Sequence, residues 1–329
     1  DGGVEVMTNL PVIDMERLGA CSGDGGLRDT AAAIRSACQD AGFFYLEGHG
    51  IDAVSITAAF ESNRKFHAQP LPIKQQIAYN RWHRGYLGFG GAQLKASSRY
   101  KPASAPNLME SFFLRHEVAA DHPDRLEGRP LQGPNQWPAD PGFKTAISRY
   151  DFMLRDLGLR LLPAFSVAIG QDPTFLQQYF NPPSTALRLN HYPPNPAKGG
   201  EEAFGSHPHT DYGFLTLLLQ DNVGGLEVEG DRGKWFPVPY RPNAFVVNIG
   251  DIFARWTNDV FRSTPHRVIN KSADRDRYSI AYFFDPNLEA VIDCFPAFRE
   301  TGVSKYEPIR FIDYFTGRLD ANYHRAKTV

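Results

Sequence analysis

Along the second half of the chain, apolar residues come in short runs broken at regular intervals by Gly, Pro, Asn and Asp. From Thr185 onward these runs are ALRLNHY, FLTLLLQD, GLEVEG, WFPVP, AFVVNIG, PHRVIN and YSIAYFF. Evenly spaced short strands separated by turn residues predict a β-sandwich or barrel. GDRG, between GLEVE and KWFPV, has the composition of a hairpin turn. The first half has a different texture. LPVID (Leu10–Asp14) and Phe43–Leu46 read as short strands. Asp29 caps an expected helix over Thr30–Asp40, with Gly42 just past its end, and Asp52 opens a second helical stretch that stops before Pro70. Asp140–Pro141 is a cap followed by proline at the first helical position. Phe143, Ile147, Tyr150, Leu154, Leu157 and Leu161 then recur at helical spacing. Pro163 is expected to bend this helix and Gly170 to end it. Tyr79–Pro106, rich in Gly, Ser and Pro, has no period and reads as loop. A final helix is expected over Ile309–Tyr323. No internal repeat or low-complexity linker divides the 329 residues. The expectation is a single domain, with a mixed N-terminal part (1–184) wrapped around a β-rich core (185–290) and followed by a helical segment (291–329).

Composition narrows the function classes. The 35 basic and 37 acidic residues nearly cancel, and no like-charge block occurs, so nothing marks a nucleic-acid surface or a charged tail. No apolar run approaches the roughly 18 residues of a membrane span, and no charged-then-apolar leader opens the chain. The three cysteines, Cys21, Cys38 and Cys294, are scattered and odd in number, which fits small buried hydrophobes rather than a disulfide framework or a zinc knuckle. A cytoplasmic protein that takes a small-molecule partner, with no nucleic acid and no membrane, fits this pattern, and a monomer is compatible with it.

The candidate chemistry lies in the β-rich half. His209 and Asp211 stand two apart in GSHPHTDYG, and His266 follows far downstream in RSTPHRVIN. Residues i and i+2 of a strand share a face, so His209 and Asp211 can reach one ion together, and a distant strand can add His266. Two imidazoles and one carboxylate on one side of a metal leave coordination positions open for chemistry. His207 alternates onto the same face and is a rival for His209, although the proline after it places it at the strand entrance. A His/Asp/His face also binds other divalent ions, so a zinc or manganese hydrolase or isomerase is a further reading. Eleven positions after His266 comes Arg277, and Arg277 and Ser279 share a strand face. A buried guanidinium calls for an anion, from the protein or from a ligand, and it pairs bidentately with a carboxylate.

These pieces, together with LPVIDM, AGFFYLEGHGI, RGYLGFG, ESFFL, LRLNHYPP, HTDYGFLTLLLQDNVGGLEV and RYSIAYFFDPN, resemble the isopenicillin-N-synthase-like group of Fe(II)/2-oxoglutarate-dependent dioxygenases. The resemblance covers nearly the whole chain and is densest from Leu187 to Asn287. It implies a mainly β fold with peripheral helices, built on a double-stranded β-helix (jelly roll) core. It implies Fe(II) on His209, Asp211 and His266, and 2-oxoglutarate as cosubstrate with its far carboxylate on Arg277 and Ser279. Asn190 and Tyr192 match positions that contact the cosubstrate in related enzymes. The implied reaction uses O2 to hydroxylate, desaturate or cyclise a small metabolite at a C–H bond, with formation of succinate and CO2. Arg84 and Tyr86, in the loop that covers the site in relatives, and Phe112 and Phe284 are the candidate substrate contacts. Met109 stands where relatives often carry Lys. Two other readings remain: an iron oxidase of the same superfamily that does not consume 2-oxoglutarate, and a metabolite-binding module without catalysis.

Overall fold

The computed structural model describes residues 9–18, 23–93, 100–103, 105–195, 204–299 and 302–322. Its strands, in chain order, are β1 (Val12–Asp14), β2 (Phe43–Glu47), β3 (Gly85–Leu87), β4 (Glu110–Arg115), β5 (Ser184–Tyr192), β6 (Ser206–His209), β7 (Leu215–Gln220), β8 (Leu226–Glu229), β9 (Trp235–Pro237), β10 (Phe245–Ile249), β11 (His266–Val268), β12 (Arg277–Asp285), β13 (Val291–Ile292) and β14 (Ile309–Arg310). The helices are α1 (Gly23–Asp40), α2 (Ala53–His67), α3 (Leu71–Gln75), α4 (Pro123–Leu126), α5 (Pro141–Ala168), α6 (Asp251–Trp256) and α7 (Phe311–Asn322). Eight strands form one sheet in the order β1-β2-β10-β7-β12-β5-β4-β3, and four form a smaller one in the order β6-β11-β8-β9. This is the jelly-roll core expected from the resemblance, with helices on its periphery.

Strand alternation divides the large sheet into two faces. Leu187 and Leu189 of β5, Leu215, Leu217 and Leu219 of β7, Phe245 and Val247 of β10, and Ile280, Tyr282 and Phe284 of β12 point to the helical side, where they pack with α1, α2 and α5 in the main core. The opposite face sends Phe43, Tyr45, Tyr192 and Val246 against Leu226, Val228 and Val268 of the small sheet. Polar inward residues of the same strands, Asn190, Thr216, Gln220, Asn248, Arg277 and Ser279, are buried between two sheets rather than exposed to water.

The helix signals act largely as the sequence indicates. Asp52 Oδ1 accepts from Ser55 N–H at 2.7 Å, and Asp140 Oδ1 accepts from Gly142 N–H at 2.8 Å. α5 runs unbroken through Pro163 to Ala168, and Gly170 follows at φ +76°. The GDRG turn joins paired strands β8 and β9, with Arg232 and Gly233 both at positive φ. α1 begins at Gly23, six residues before the expected cap Asp29. The Tyr79–Pro106 stretch contains a strand, β3, that pairs with β4. Ile309 and Arg310 pair with β13 before α7 starts. Cys38 and Cys294 are buried free thiols, whereas Cys21 and Tyr323 lie outside the described residues. Among the described residues, no helix is long and apolar enough to cross a membrane.

Candidate metal centre

β6 and β11 are antiparallel neighbours, and their register sets His209 directly opposite His266 with ring centroids 4.4 Å apart. Asp211 follows β6 in the link to β7, where its carbonyl accepts the Asp251 N–H at 2.8 Å. Asp211 Oδ1 lies 3.8 Å from His209 Nε2 and 3.7 Å from His266 Nε2. Two ligands each about 2.1 Å from one ion can stand at most about 4.2 Å apart, so these spacings are within reach of a single ion. Each side chain is also held from behind. His209 Nδ1 bonds the His207 carbonyl at 2.7 Å, and His266 Nδ1 bonds the Thr264 carbonyl at 3.3 Å. A carbonyl can only accept, so each Nδ1 carries a proton, which leaves Nε2 as the nitrogen that can bind a metal. The Thr216 hydroxyl (2.6 Å) and the Asn248 amide (2.7 Å) both donate to Asp211 Oδ2, leaving Oδ1 for a cation.

The protonation states fit a metal. Burial, then the neighbouring His266, lowers His209 to about 4, although 26% of its side chain faces the adjoining hollows. Burial alone would raise Asp211. His266 and His209, with the hydrogen bonds from Asn248 and Thr216, outweigh it and hold the carboxyl below its usual range. Neutral imidazole and ionised carboxylate are the forms that bind a metal ion. His207 does not join them: its Nδ1 bonds Asn107 Oδ1 at 2.7 Å and its ring packs on Phe204. It serves the centre through its backbone carbonyl.

The same inter-sheet cavity contains the second constellation. A hollow of about 60 Å³ is lined by the three metal-facing side chains and by Asn190, Tyr192, Arg277 and Ser279. Arg277 is fully buried, with its guanidinium 4.6 Å from the Tyr192 ring centroid. Its Nε donates to the Gly224 carbonyl, and one terminal nitrogen donates to Gln220 Oε1 at 3.0 Å. The other terminal nitrogen, Nη1, has no hydrogen-bond partner among the described residues. A buried guanidinium donor left open costs stability, and a carboxylate in this cavity would satisfy it. Asn190 links the two strands, taking the Ser111 hydroxyl on Oδ1 at 2.9 Å and giving Nδ2 to Ser279 Oγ at 3.3 Å.

The four candidate substrate contacts are placed elsewhere. Arg84 is fully buried, and its donors go to Asn135 Oδ1 and to the carbonyls of Trp82, Leu131 and His116. Tyr86 donates its hydroxyl to Glu110, which also pairs with Lys74 at 2.7 Å. Phe112 faces the helices, 4.7 Å from Phe66 and 5.5 Å from Phe143. Phe284 stacks on Phe180 at 5.1 Å on that same face. The two phenylalanines miss the cavity by one residue. Phe283 lines the hollow beside the triad, and Phe113 carries the Arg188 guanidinium at 4.8 Å.

Several residues that build the site were not singled out from sequence: Thr216 and Asn248 behind Asp211, Gln220 behind Arg277, Tyr212, and Arg188. Arg188 shares the inward face of β5 with Asn190 and Tyr192, and it lines both the triad hollow and a neighbouring one. Its Nε donates to Ser111 Oγ at 3.1 Å and it reaches Met109 Sδ at 3.4 Å, so Met109 occupies the position beside a cation. The two-residue rule applied to LRLNHY was the available signal.

Comparisons with known proteins agree with this geometry. Residues 183–286 match the family model of the 2OG-Fe(II) oxygenase superfamily, and residues 10–140 match that of the non-haem dioxygenase in morphine synthesis N-terminal region. A 2-oxoglutarate-Fe(II) type oxidoreductase of Emericella nidulans is 35% identical over 89% of this chain and 85% of its own. A homoarginine-6-hydroxylase of Glycine max is 30% identical over 96% and 98% respectively. The crystal structure of a full-length Neurospora crassa protein in complex with alpha-KG and thymine superposes with a TM-score of 0.82 at 30% identity, covering 95% of this chain and 96% of that one. Matched at both its N-terminal and its β-rich parts, and along nearly the full length of these relatives, the chain belongs to the 2-oxoglutarate-Fe(II) oxygenase superfamily.

Proposed function

We propose that His209, Asp211 and His266 hold Fe(II), that Arg277 and Ser279 receive the far carboxylate of 2-oxoglutarate, and that Asn190 and Tyr192 frame it. The enzyme is an Fe(II)/2-oxoglutarate-dependent dioxygenase acting on a small molecule. When bound, iron with 2-oxoglutarate and O2 supplies the oxidant for a substrate C–H bond, with release of succinate and CO2. The protein's own residues orient and exclude. Arg277 is held on three sides by Gly224, Gln220 and the Tyr192 ring, so its open Nη1 is aimed before any ligand arrives. Positioning of this kind removes entropy ahead of the chemical step. Thr216 and Asn248 keep Asp211 Oδ1 turned to the metal. Val228, Val268 and Leu226 keep the space between the sheets apolar around these few polar groups.

The observation that carries the residue assignment is the unpartnered Arg277 Nη1 in the hollow that the triad also lines. Small-molecule substrates are supported by the thymine-bound Neurospora relative and the Glycine max hydroxylase. A single domain is supported by a main hydrophobic cluster that draws residues from Ile13 to Leu319. A cytoplasmic setting is supported by the two buried, unpaired thiols.

Anaerobic addition of Fe(II) and 2-oxoglutarate tests the assignment. The wild type should develop a visible charge-transfer band. His209→Ala or Asp211→Ala should lose it. Arg277→Ala should keep iron binding but need at least about tenfold more 2-oxoglutarate, the loss expected for one charge-assisted pair. A full-strength band in the His209 or Asp211 variant, or an unchanged 2-oxoglutarate requirement in the Arg277 variant, would move the site.

A further inference from the structure

A second, larger cavity of about 530 Å³ opens on the other side of His209 and is walled by α6, α7 and the segment before β11. Its size falls in the range of metabolite pockets. His209 and Tyr212 line both this cavity and the small hollow that Arg188 borders, so both spaces adjoin the metal-facing side chain. We propose that this cavity seats the primary substrate, and that the substrate is a small carboxylic acid whose carboxylate is received by Arg318. The inference rests on the oxygenase reading above and names the substrate class of that same site.

The argument starts from a cation with one buried donor left open. Arg318 lies on α7 with its guanidinium 4.7 Å from the ring centroid of Tyr212, the residue that follows Asp211. Its Nε is buried without a hydrogen-bond partner among the described residues. Among the described residues the guanidinium is paired with Asp251, whose Oδ2 stands 3.9 Å from Nη2, too far for a hydrogen bond. Asp251 is also already engaged: Ser263 donates to Oδ1 at 2.7 Å and Tyr314 donates to Oδ2 at 2.9 Å. A guanidinium stays charged at any physiological pH and has five donors to fill. Here it is fixed by stacking, as a planar fork suited to a carboxylate.

The remaining walls favour a flat body on that acid. Tyr100, Tyr306 and Tyr314 line the cavity with Tyr212. Arg255 lies over the Tyr306 and Tyr314 rings, at 4.5 and 5.4 Å from their centroids, and its Nε is a second buried donor without a partner among the described residues. Arg255, Arg262 and Arg318 line the cavity together with two carboxylates, Asp251 and Asp259, and Asp259 is already paired with Lys305 at 3.2 Å and accepts the Tyr306 hydroxyl at 2.8 Å. Tyr212 is pinned between Arg318 and Asn322, whose Nδ2 bonds the Tyr212 hydroxyl at 3.0 Å. A carboxylate on Arg318 leaves the rest of such a molecule running past Tyr212 toward His209.

The test compares acids with their neutral esters, because esterification removes the charge and little else. Indole-3-acetate and trans-cinnamate are each paired with their methyl esters at saturating 2-oxoglutarate. Binding is read anaerobically by perturbation of the ferrous 2-oxoglutarate band and by thermal shift on the metal-free chain. At least one acid should bind about tenfold or more tighter than its ester, as a charge-assisted pair implies. Arg318→Gln should erase that preference while leaving the ferrous 2-oxoglutarate band intact, and Arg318→Lys should retain part of it. Equal binding of acid and ester, no binding of either acid, or a preference that survives in Arg318→Gln overturns the proposal. Should the glutamine variant not fold, the lysine variant and the wild-type acid-to-ester ratio still decide it. Loss of the wild-type band with the acid preference intact in the thermal shift would instead strike the oxygenase reading.

Discussion

At the scale of single residues, the site depends on groups that touch neither metal nor cosubstrate. Asp211 is buried, and its outward oxygen is fixed by Thr216 and Asn248. Partners behind a metal ligand are worth roughly 10–100-fold in metal affinity. Asn248→Ala should therefore weaken Fe(II) binding by about that factor, with the fold kept, as measured by anaerobic titration; an unchanged affinity would show that Thr216 alone suffices. A second carboxyl invites a pH prediction. Burial raises Asp285 to about 7, despite the Phe214 N–H it accepts at 2.8 Å. A carboxyl whose folded pKa lies above its unfolded value binds its proton more tightly when folded. Its contribution to stability is complete below the unfolded pKa near 4 and is lost as pH rises through about 7, at roughly 1.4 kcal/mol per pH unit. Asp285→Asn removes this titration. The difference in unfolding free energy between wild type and variant should shift toward the variant from about pH 4 to about pH 7 and flatten above that. Denaturant melts across that window and above it check the prediction, and a constant difference would rule out a raised pKa.

At the scale of elements, the alternation of strands explains both what the sequence disclosed and what it hid. Arg277 and Ser279 were legible because a strand repeats every two residues, and Asn190 and Tyr192 carry the same parity on the adjacent strand β5. Extending that parity along the same two strands leads to Arg188 and Phe283, both on the cavity. Phe284 and Phe112 have the opposite parity and belong to the helical side. Reading an aromatic by its motif neighbourhood rather than its register sends it to the wrong face. The wrong face has its own demands. Gly158 of α5 lies where the helix crosses β12, and a Cβ there would stand 2.5 Å from Phe284 Cδ2. The ring cannot easily yield, since it is stacked on Phe180 with an interplanar angle of 6°. Gly158→Ala would gain about 1 kcal/mol of helix propensity, but overpacking a core costs about 1–3 kcal/mol. The net expectation is a lower urea midpoint with an unchanged slope; an equal or higher midpoint would mean that the sheet and helix can part without cost.

At the scale of the whole molecule, the parts that sequence left dark are those made by distant contacts. Arg84 is held by the carbonyls of His116 and Leu131 and by Asn135, and Tyr86 by Glu110, so their roles as struts follow from tertiary closure that no local pattern records. The same closure brings the two halves of the site together from different sheets. His209 and His266 stand on β6 and β11 of the small sheet, whereas Arg277 and Ser279 stand on β12 of the large one. Metal and cosubstrate bound side by side would therefore bridge the sheets, and each should stabilise the protein beyond its own contacts. A ligand at about 100 times its Kd adds about 2.7 kcal/mol of unfolding free energy. The expected outcome is a coupled thermal shift: 2-oxoglutarate should raise Tm by several degrees in the presence of Fe(II), measured anaerobically, and by much less without it. His209→Ala should abolish the coupling, while Arg277→Ala should keep the shift due to iron and lose the increment due to 2-oxoglutarate. If 2-oxoglutarate raises Tm equally with and without metal, the two ligands do not share the cavity between the sheets, and the guanidinium of Arg277 must be satisfied by something else.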